Sequence, residues 1–433
     1  MTKRAIAPTG LFALAALLCC RPAAAAEVLA FDSGNTALVI AASALVLFMT
    51  LPGLALFYGG LVRARNLLSV LMHCFAICCV VSLLWAVVGY SLAFADGTLW
   101  LGSLDKAFVG HLGSQPMPGA IPEIVFFLFQ LTFAIITPAL IVGAFPERVR
   151  FPFVVLFSAL WLLLVYCPVA HWVWGGGWLA AIGTIDFAGG IVVHTTAGVS
   201  ALVAAIVIGR RRGFPHSLVP PHSPGLTMAG AGMLWVGWFG FNGGSALAAN
   251  ATAGGAIVAT HLAAAAAALA WIGAEWVKIG KPTSIGIVTG CVAGLATITP
   301  ASGFVGPMGA VGIGIAAGIV CFGATNFVKQ RLVIDDSLDV FAVHGVGGML
   351  GTVLVSVFAL PVLGEVGLAA GMTLPKQLLV QLVGIAAAAV WSGVVSYGLL
   401  RLCDMLTGLR VTQEEESDGL DLSSHGERAY EHN

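Results

Sequence analysis

Charge is scarce in this chain. Lys, Arg, Asp and Glu make up 9% of its 433 residues and apolar types 59%, where soluble domains carry about 25% and about 45–50%. So few charges exclude an aqueous globular protein, and the chain reads as a membrane protein. No run of alternating ten-residue segments points to a barrel, so the spans are helices that satisfy their own backbone. No Cys-x-x-Cys pair occurs among the nine cysteines, which leaves zinc and dithiol chemistry without support. Outside the first twenty residues, those cysteines lie in or beside apolar runs, where Cys serves as a small hydrophobe. No phosphate-binding loop, basic-aromatic patch or metal-ligand cluster is present. The reading therefore carries no nucleotide, no nucleic acid and no cofactor. A nucleophile, base and orienting group cannot be assembled either, so the chain is not read as an enzyme; its scattered Ser and Thr are ordinary helix glue.

What the sequence does have is a succession of apolar segments, and its length holds about eleven spans of about 20 residues. They fall near 35–59, 69–95, 120–143, 151–170, 190–209, 226–248, 255–277, 284–301, 307–328, 340–361 and 376–403. The start reads as a secretory signal over 1–26: Lys3 and Arg4, a short apolar stretch from Leu11 to Cys20, then Ala23 to Ala26 as a small-residue cleavage site. A lipoprotein cut at Cys19 or Cys20 fits the preceding Leu-Leu poorly, and an uncleaved anchor is the other alternative. With the mature N-terminus outside, Arg63, Arg65, Arg148, Arg150, Arg210 to Arg212, Lys278, Lys281, Lys329, Arg331, Arg401, Arg410 and Arg428 all fall inside. Only Lys106 and Lys376 fall outside. That asymmetry predicts an odd number of spans and a C-terminus inside. Residues 27–404 form the membrane domain and 405–433 a tail.

Two histidines sit deep in glycine-rich apolar runs, Gly190-Ile-Val-Val-His194-Thr-Thr-Ala-Gly198 and Asp339-Val-Phe-Ala-Val-His344-Gly-Val-Gly-Gly348. An ionisable side chain at membrane depth needs a partner or a polar path and reads as functional, and histidine exchanges protons near neutral pH. Leu56-Phe57-Tyr58-Gly59-Gly60 near the end of the first span resembles Gly240-Phe241-Asn242-Gly243-Gly244 near the end of the sixth. Each set of five spans closes on its own histidine. Spans one to five and six to ten then form an inverted repeat, an arrangement that places a route between the halves near the midplane.

Aromatic residues gather toward the outer mouth: Phe129, Trp174 in the loop after span four, and Phe241, with Ser245 close by in sequence. Each alone fits an interfacial anchor or a core ring. Together, aromatic faces can hold a small cation at about 2 kcal/mol or more per desolvated contact. Asp186 precedes Phe187-Ala-Gly-Gly190; it serves either as a cap of the fifth helix or as a direct ligand.

These strings resemble the Amt/Rh ammonium transporter family, its bacterial Amt branch in particular, over essentially the whole mature chain. The similarity runs through PGLALFYGGLVR (52–63), AFPERVRF (144–151), HWVWGGG (171–177), DFAGGIVVH (186–194), GWFGFNGGS (237–245), DVFAVHGVGG (339–348) and GLRV (408–411). The resemblance implies a multi-pass protein of the inner (plasma) membrane, a homotrimer with one pore in each protomer. It also implies that Phe129, Trp174 and Ser245 recruit ammonium, possible analogues such as methylammonium included, and that Phe129 and Phe241 stack as a gate. By the same resemblance His194 and His344 form the pore pair, Trp238 lines the pore, and Asp186 takes a structural or electrostatic role. A cytosolic PII signal protein is the implied regulatory partner, besides membrane lipid.

The tail carries Glu414, Glu415, Glu416, Asp418 and Asp421. Acidic runs are usually solvated, but this one faces Arg210 to Arg212, Lys329 and Arg331 and is expected to dock there. Three rival readings stand beside transport of ammonium: a haem electron carrier with His194 and His344 as axial ligands, a non-transporting ammonium sensor, and a passive channel for a neutral gas.

Overall fold

The structure, a computed structural model, describes residues 31–110, 112–113, 115–217, 220–363 and 366–430. The expected signal segment 1–26 lies outside the described residues.

Helices occupy each interval where apolar runs predict one. We label them α1 (Ser33–Leu61), α2 (Ala64–Phe94), α3 (Glu123–Ala144), α4 (Phe151–Ala181), α5 (Gly190–Ile208), α6 (Pro224–Trp238), α7 (Ala251–Ile279), α8 (Ser284–Ile298), α9 (Pro307–Arg331), α10 (Phe341–Phe358) and α11 (Leu374–Thr407). Nine of these are long and apolar enough to cross a membrane among the described residues. The other two, α6 and α8, are regular for 15 residues each, about 22 Å of rise against a hydrocarbon core of about 30 Å. Their irregular ends are enclosed by protein: Asn242 and Gly243 beyond α6 are buried, as are Thr299, Ala301 and Ser302 beyond α8. Irregular backbone at that depth is tolerated where protein or a cavity surrounds it. Among the described residues no strand forms beyond isolated bridges.

The ends follow capping chemistry. Asp32, Ser223, Asn250 and Thr283 each accept a backbone N–H of the helix they precede, satisfying donors that have no partner in the first turn. Boundaries depart from the sequence reading in places: α6, read as running to 248, is regular only to Trp238 and ends in a wide turn at Phe239–Gly243. Within α4 a wide turn at Leu162–Tyr166 leads into the segment Cys167–Val173, and Trp174 is the C-cap of that segment, at the turn before Trp178–Ala181. Pro168 follows the wide turn Leu162–Tyr166, where the regular hydrogen-bond ladder is already interrupted, so a residue without an N–H does not break the helix.

Two short helices follow α11: α12 (Gln413–Asp418) and α13 (Leu420–His425). A reciprocal box between Thr412 and Glu415 starts α12. The tail docks on the basic end of the bundle. Glu416 is buried, pairs with Arg410 at 3.0 Å and accepts the backbone N–H of Arg212 at 2.8 Å. Asp421 accepts the backbone N–H of Ser69 at 2.7 Å, closing the start of α2 from 352 residues away. Docking thus uses Arg212 and the α1–α2 connection, where Arg63 donates to the Glu416 carbonyl. Lys329, expected to meet the tail, pairs with Asp339 at 2.7 Å instead.

The same end holds a buried ionic knot. Arg148, fully enclosed, donates to Ser337 Oγ at 2.7 Å and to the Asp335 carbonyl at 2.9 Å, while Arg211 and the Asp335 carboxylate meet at 2.9 Å. Arg211 donates to both Asp335 oxygens, and this pairing holds the Asp335 carboxyl below its ordinary range in spite of burial.

Candidate functional site

Helices α5 and α10 cross at their glycines, and this crossing makes the site. His194 and Gly198 are four residues apart, as are His344 and Gly348, one turn of the same helix face. A Cβ on Gly198 would lie 2.3 Å from the backbone of Gly345, and one on Gly348 would lie 2.6 Å from His194 Cβ. Only bare backbone permits that approach. Each histidine stands on a wide, under-wound turn, Gly190–Thr195 and Phe341–Gly345, and Phe241 stands on another, Phe239–Gly243. Such π-type turns insert a residue into the helix and re-aim the side chains that follow; they recur at functional sites.

The result is a file of rings. Phe133 stacks on Phe241 with centroids 4.2 Å apart and planes 23° from parallel. Phe241 and His194 are 6.1 Å apart at 27°, and His194 and His344 are 5.3 Å apart at 26°. Trp238 flanks the file, 5.6 Å from His194. All five rings are buried.

Three cavities lie along this file. The outermost, about 300 Å³, is lined by Phe129, Gln130, Phe133, Trp174, Phe187 and Ser245 among others. A central one of about 10 Å³ lies between Phe241 and the two histidines, closed by Leu140, Leu234 and Val292; this is room for about one water-sized molecule. The third, about 280 Å³, opens at the basic end beside Tyr58, Arg211, Lys329, Asp339 and His344. Phe133 lines the outer cavity and Phe241 the central one, so their stack is the partition. His344 borders both the central cavity and the basic one.

The structure brings Phe129, Trp174 and Ser245 to one cavity, as the sequence reading groups them. It moves the stacked pair, however. Phe241 stacks on Phe133, whereas Phe129 lies one turn away on α3, its centroid 5.0 Å from that of Phe133. Four residues advance a helix by about 6 Å. Spacing along α3 shows that Phe126, Phe129 and Phe133 share a face, but not which ring is level with Phe241.

Asp186 is consumed by the backbone. Its Oδ1 accepts the N–H groups of Gly189 and Gly190 at 2.8 and 2.6 Å, and its Oδ2 those of Ile191 and Val192 at 2.8 and 3.1 Å. Of the two roles open to it from sequence, this geometry performs the cap. Its carbonyl accepts the Trp174 indole N–H at 2.9 Å, which leaves the indole face to the cavity. The Ser245 hydroxyl donates to the Phe241 carbonyl at 2.8 Å and keeps its lone pairs.

Thr299, just beyond α8, was not singled out by sequence. Its hydroxyl donates to the Leu295 carbonyl at 2.8 Å, accepts from Trp238 Nε1 at 2.9 Å and lies 3.4 Å from His194 Nε2. Since the hydroxyl's one proton is already used, it meets His194 as an acceptor, which favours the proton on Nε2. The Nδ1 atoms of His194 and His344 are buried without a partner. No motif marks a lone Thr before Pro300; its only signal is a hydroxyl where an apolar helix stops.

The geometry argues against axial haem ligation. The imidazoles stack on each other, and a cavity of about 10 Å³ has no room for a macrocycle between them. Among the described residues no group of three His, Cys, Asp or Glu side chains is placed to hold a metal.

Comparison with known proteins identifies the lineage. The model of the Ammonium Transporter Family matches residues 37–430. An ammonium transporter of Aquifex aeolicus (strain VF5) is 48% identical over 402 residues, covering 92% of this chain and 94% of that one. One of Bacillus subtilis (strain 168) is 46% identical and covered to 98%, with 92% of this chain. Among solved structures, a Sensor Amt Protein superposes with a TM-score of 0.85 at 32% identity, covering 90% of this chain and 98% of that one. With matches over nearly its whole length and a multi-pass helical membrane fold, the chain belongs to the ammonium transporter family.

Proposed function

We propose that this chain recruits ammonium at the outer cavity, strips one proton, and passes ammonia through the central cavity to the basic end, with co-transfer of the proton. The observation that carries this reading is the file Phe133, Phe241, His194, His344 between two wide cavities, narrowing to about 10 Å³. Trp174, Phe129 and Ser245 supply aromatic faces and a hydroxyl for the cation, at about 2 kcal/mol or more per desolvated aromatic contact. An ion entering the apolar centre would lose its hydration at a cost of several kcal/mol. Ammonium escapes that cost by deprotonating; potassium, similar in size and charge, cannot. The histidine pair guides ammonia and relays the proton, and Trp238 lines their path.

The test is current from purified protein in liposomes after an ammonium jump, with a potassium jump as control. A saturating ammonium current without a potassium response is expected. A neutral gas channel would give an internal pH change without current, and a sensor alone would give neither. Apolar residues at both His194 and His344 abolish the coupled current; a normal current in that double variant refutes the proton route.

The charge pattern supports a basic end in the cytosol, eleven spans and the N-terminus outside, and with the family it supports residence in the inner (plasma) membrane. The matched histidine and glycine spacings of α5 and α10 support the inverted repeat. We assign residues 1–26 to a signal peptide, 27–404 to the transport domain and 405–433 to a regulatory tail. Its docking on Arg212 and Arg63, next to Arg211 of the inner cavity, supports regulation there by a PII signal protein. A pull-down under nitrogen-replete conditions that recovers no such protein counts against it. Assembly as a homotrimer is checked by the mass of the detergent-solubilised particle.

A further inference from the structure

The outer cavity contains a polar atom that the fold leaves unsatisfied. Gln130 lies on α3 beside Phe129, three residues before Phe133, and lines the same cavity as Trp174 and Ser245. The residue is 8% exposed, and its carbonyl oxygen is buried with no hydrogen-bond partner. A buried amide oxygen without a donor is destabilising, and an apolar side chain, like those of Phe126, Val173 and Leu247 around it, would pack without that cost. The position is explained if a donor arrives from the cavity.

The neighbouring groups define that donor. Ser245 has given its proton to the Phe241 carbonyl and Trp174 its N–H to the Asp186 carbonyl. What remains facing the cavity is the Ser245 lone pairs, the aromatic faces and the Gln130 amide, whose oxygen and NH2 ends exchange by a half-turn of the last side-chain torsion; with the oxygen turned to the cavity this environment suits a small cation with several N–H bonds.

We infer that Gln130 is a direct ligand of the recruited cation, its amide oxygen accepting one N–H while Ser245 accepts another. The remaining N–H groups point to the faces of Trp174 and Phe129. This rests on the transport reading above and adds a selectivity element to it. Directional N–H donors are satisfied by two oxygens and two ring faces. A bare alkali ion, which needs a full shell of oxygens, is not.

The test is the concentration dependence of ammonium current in liposomes for wild type, Gln130→Leu and Gln130→Glu. Loss of one hydrogen bond to a charged donor raises the half-saturating concentration by roughly tenfold or more in Gln130→Leu, a larger change than any fall in maximal current. Gln130→Glu, which keeps an acceptor oxygen in place, returns it to the wild-type value or below. A Leu variant with wild-type half-saturation overturns the assignment, as does a Glu variant that behaves like Leu. Gln130→Met takes the place of Leu if the latter fails to fold. A wild-type protein with no saturable ammonium current overturns the transport reading, and this inference with it. A saturating wild type with an indifferent Leu variant overturns only the role of Gln130.

Discussion

The indole N–H of Trp238 donates to the Thr299 hydroxyl at 2.9 Å, and His194 Nε2 lies 3.4 Å from the same oxygen. One hydroxyl from the end of α8 therefore orients two rings of the file. Thr299→Val keeps the volume and removes the acceptor, leaving a buried N–H group unpaired at a cost of about 1–3 kcal/mol. Ammonium flux in liposomes is expected to drop roughly tenfold, with Thr299→Ser close to wild type. Equal flux in Val and wild type would show that packing alone sets the two rings.

The Phe133 and Phe241 stack separates the outer and central cavities, so Phe133→Ala joins them. We expect a potassium leak in this variant. Phe129→Ala stays selective and only raises the half-saturating ammonium concentration, because Phe129 lines the outer cavity without stacking on Phe241. Paired ammonium and potassium jumps separate the outcomes, and the reverse pattern would make Phe129 the barrier.

Asp186→Ala leaves four backbone N–H groups at the start of α5 without their acceptor. Charge-assisted bonds of this kind contribute about 1.5–3 kcal/mol each and do not simply add, so a loss of about 3 kcal/mol or more is expected. It is read as a lower thermal midpoint in detergent and a lower yield. Unchanged stability with weaker ammonium binding would restore the direct-ligand role.

Gly198→Val places side-chain atoms where Gly345 backbone already stands, with even its Cβ 2.3 Å away. Overpacking of this sort typically costs about 1–3 kcal/mol or more, and here the strain falls on the crossing that pairs the histidines. The variant is expected to be less stable and inactive; a stable, fully active Gly198→Val would show that α5 and α10 can separate without loss.

Asp336, in the connection between α9 and α10, supplies the pH dependence. Burial first, then the charge of Asp339, pushes its carboxyl up to about 7. Its Oδ2 accepts the Phe341 N–H while Oδ1 has no partner. Between its ordinary carboxylate range and about 7 the folded protein holds a proton that the unfolded chain has released, so stability falls as pH rises through that window and levels off above it. Asp336→Asn mimics the protonated form. Its thermal midpoint should match wild type near pH 4 and exceed it above pH 7. Parallel curves for the two proteins would mean that the carboxyl titrates normally.

The helical membrane class, the helix intervals and the aromatic and histidine residues were legible in the sequence because each depends on local pattern. Apolar run length, capping residues and charge at span ends act within one segment, and the glycine four residues after each deep histidine is visible in the string. Even the docking of an acidic tail on a basic surface follows from composition.

What the string cannot carry is level and partnership across segments. The sequence reading paired Phe129 with Phe241, and only the height of Phe241 on its own irregular turn shows that Phe133, one turn further along α3, is the ring it stacks on. Asp186 became a cap once the carboxylate and four amides met in three dimensions. Thr299 and Gln130 entered the site through what they touch, or fail to touch, on other helices. The physical reason is common to all of these: propensity and hydrophobicity act along the chain, whereas the depth of a side chain in a bundle is fixed by crossings such as that of Gly198 and Gly345, where two distant segments come into backbone contact.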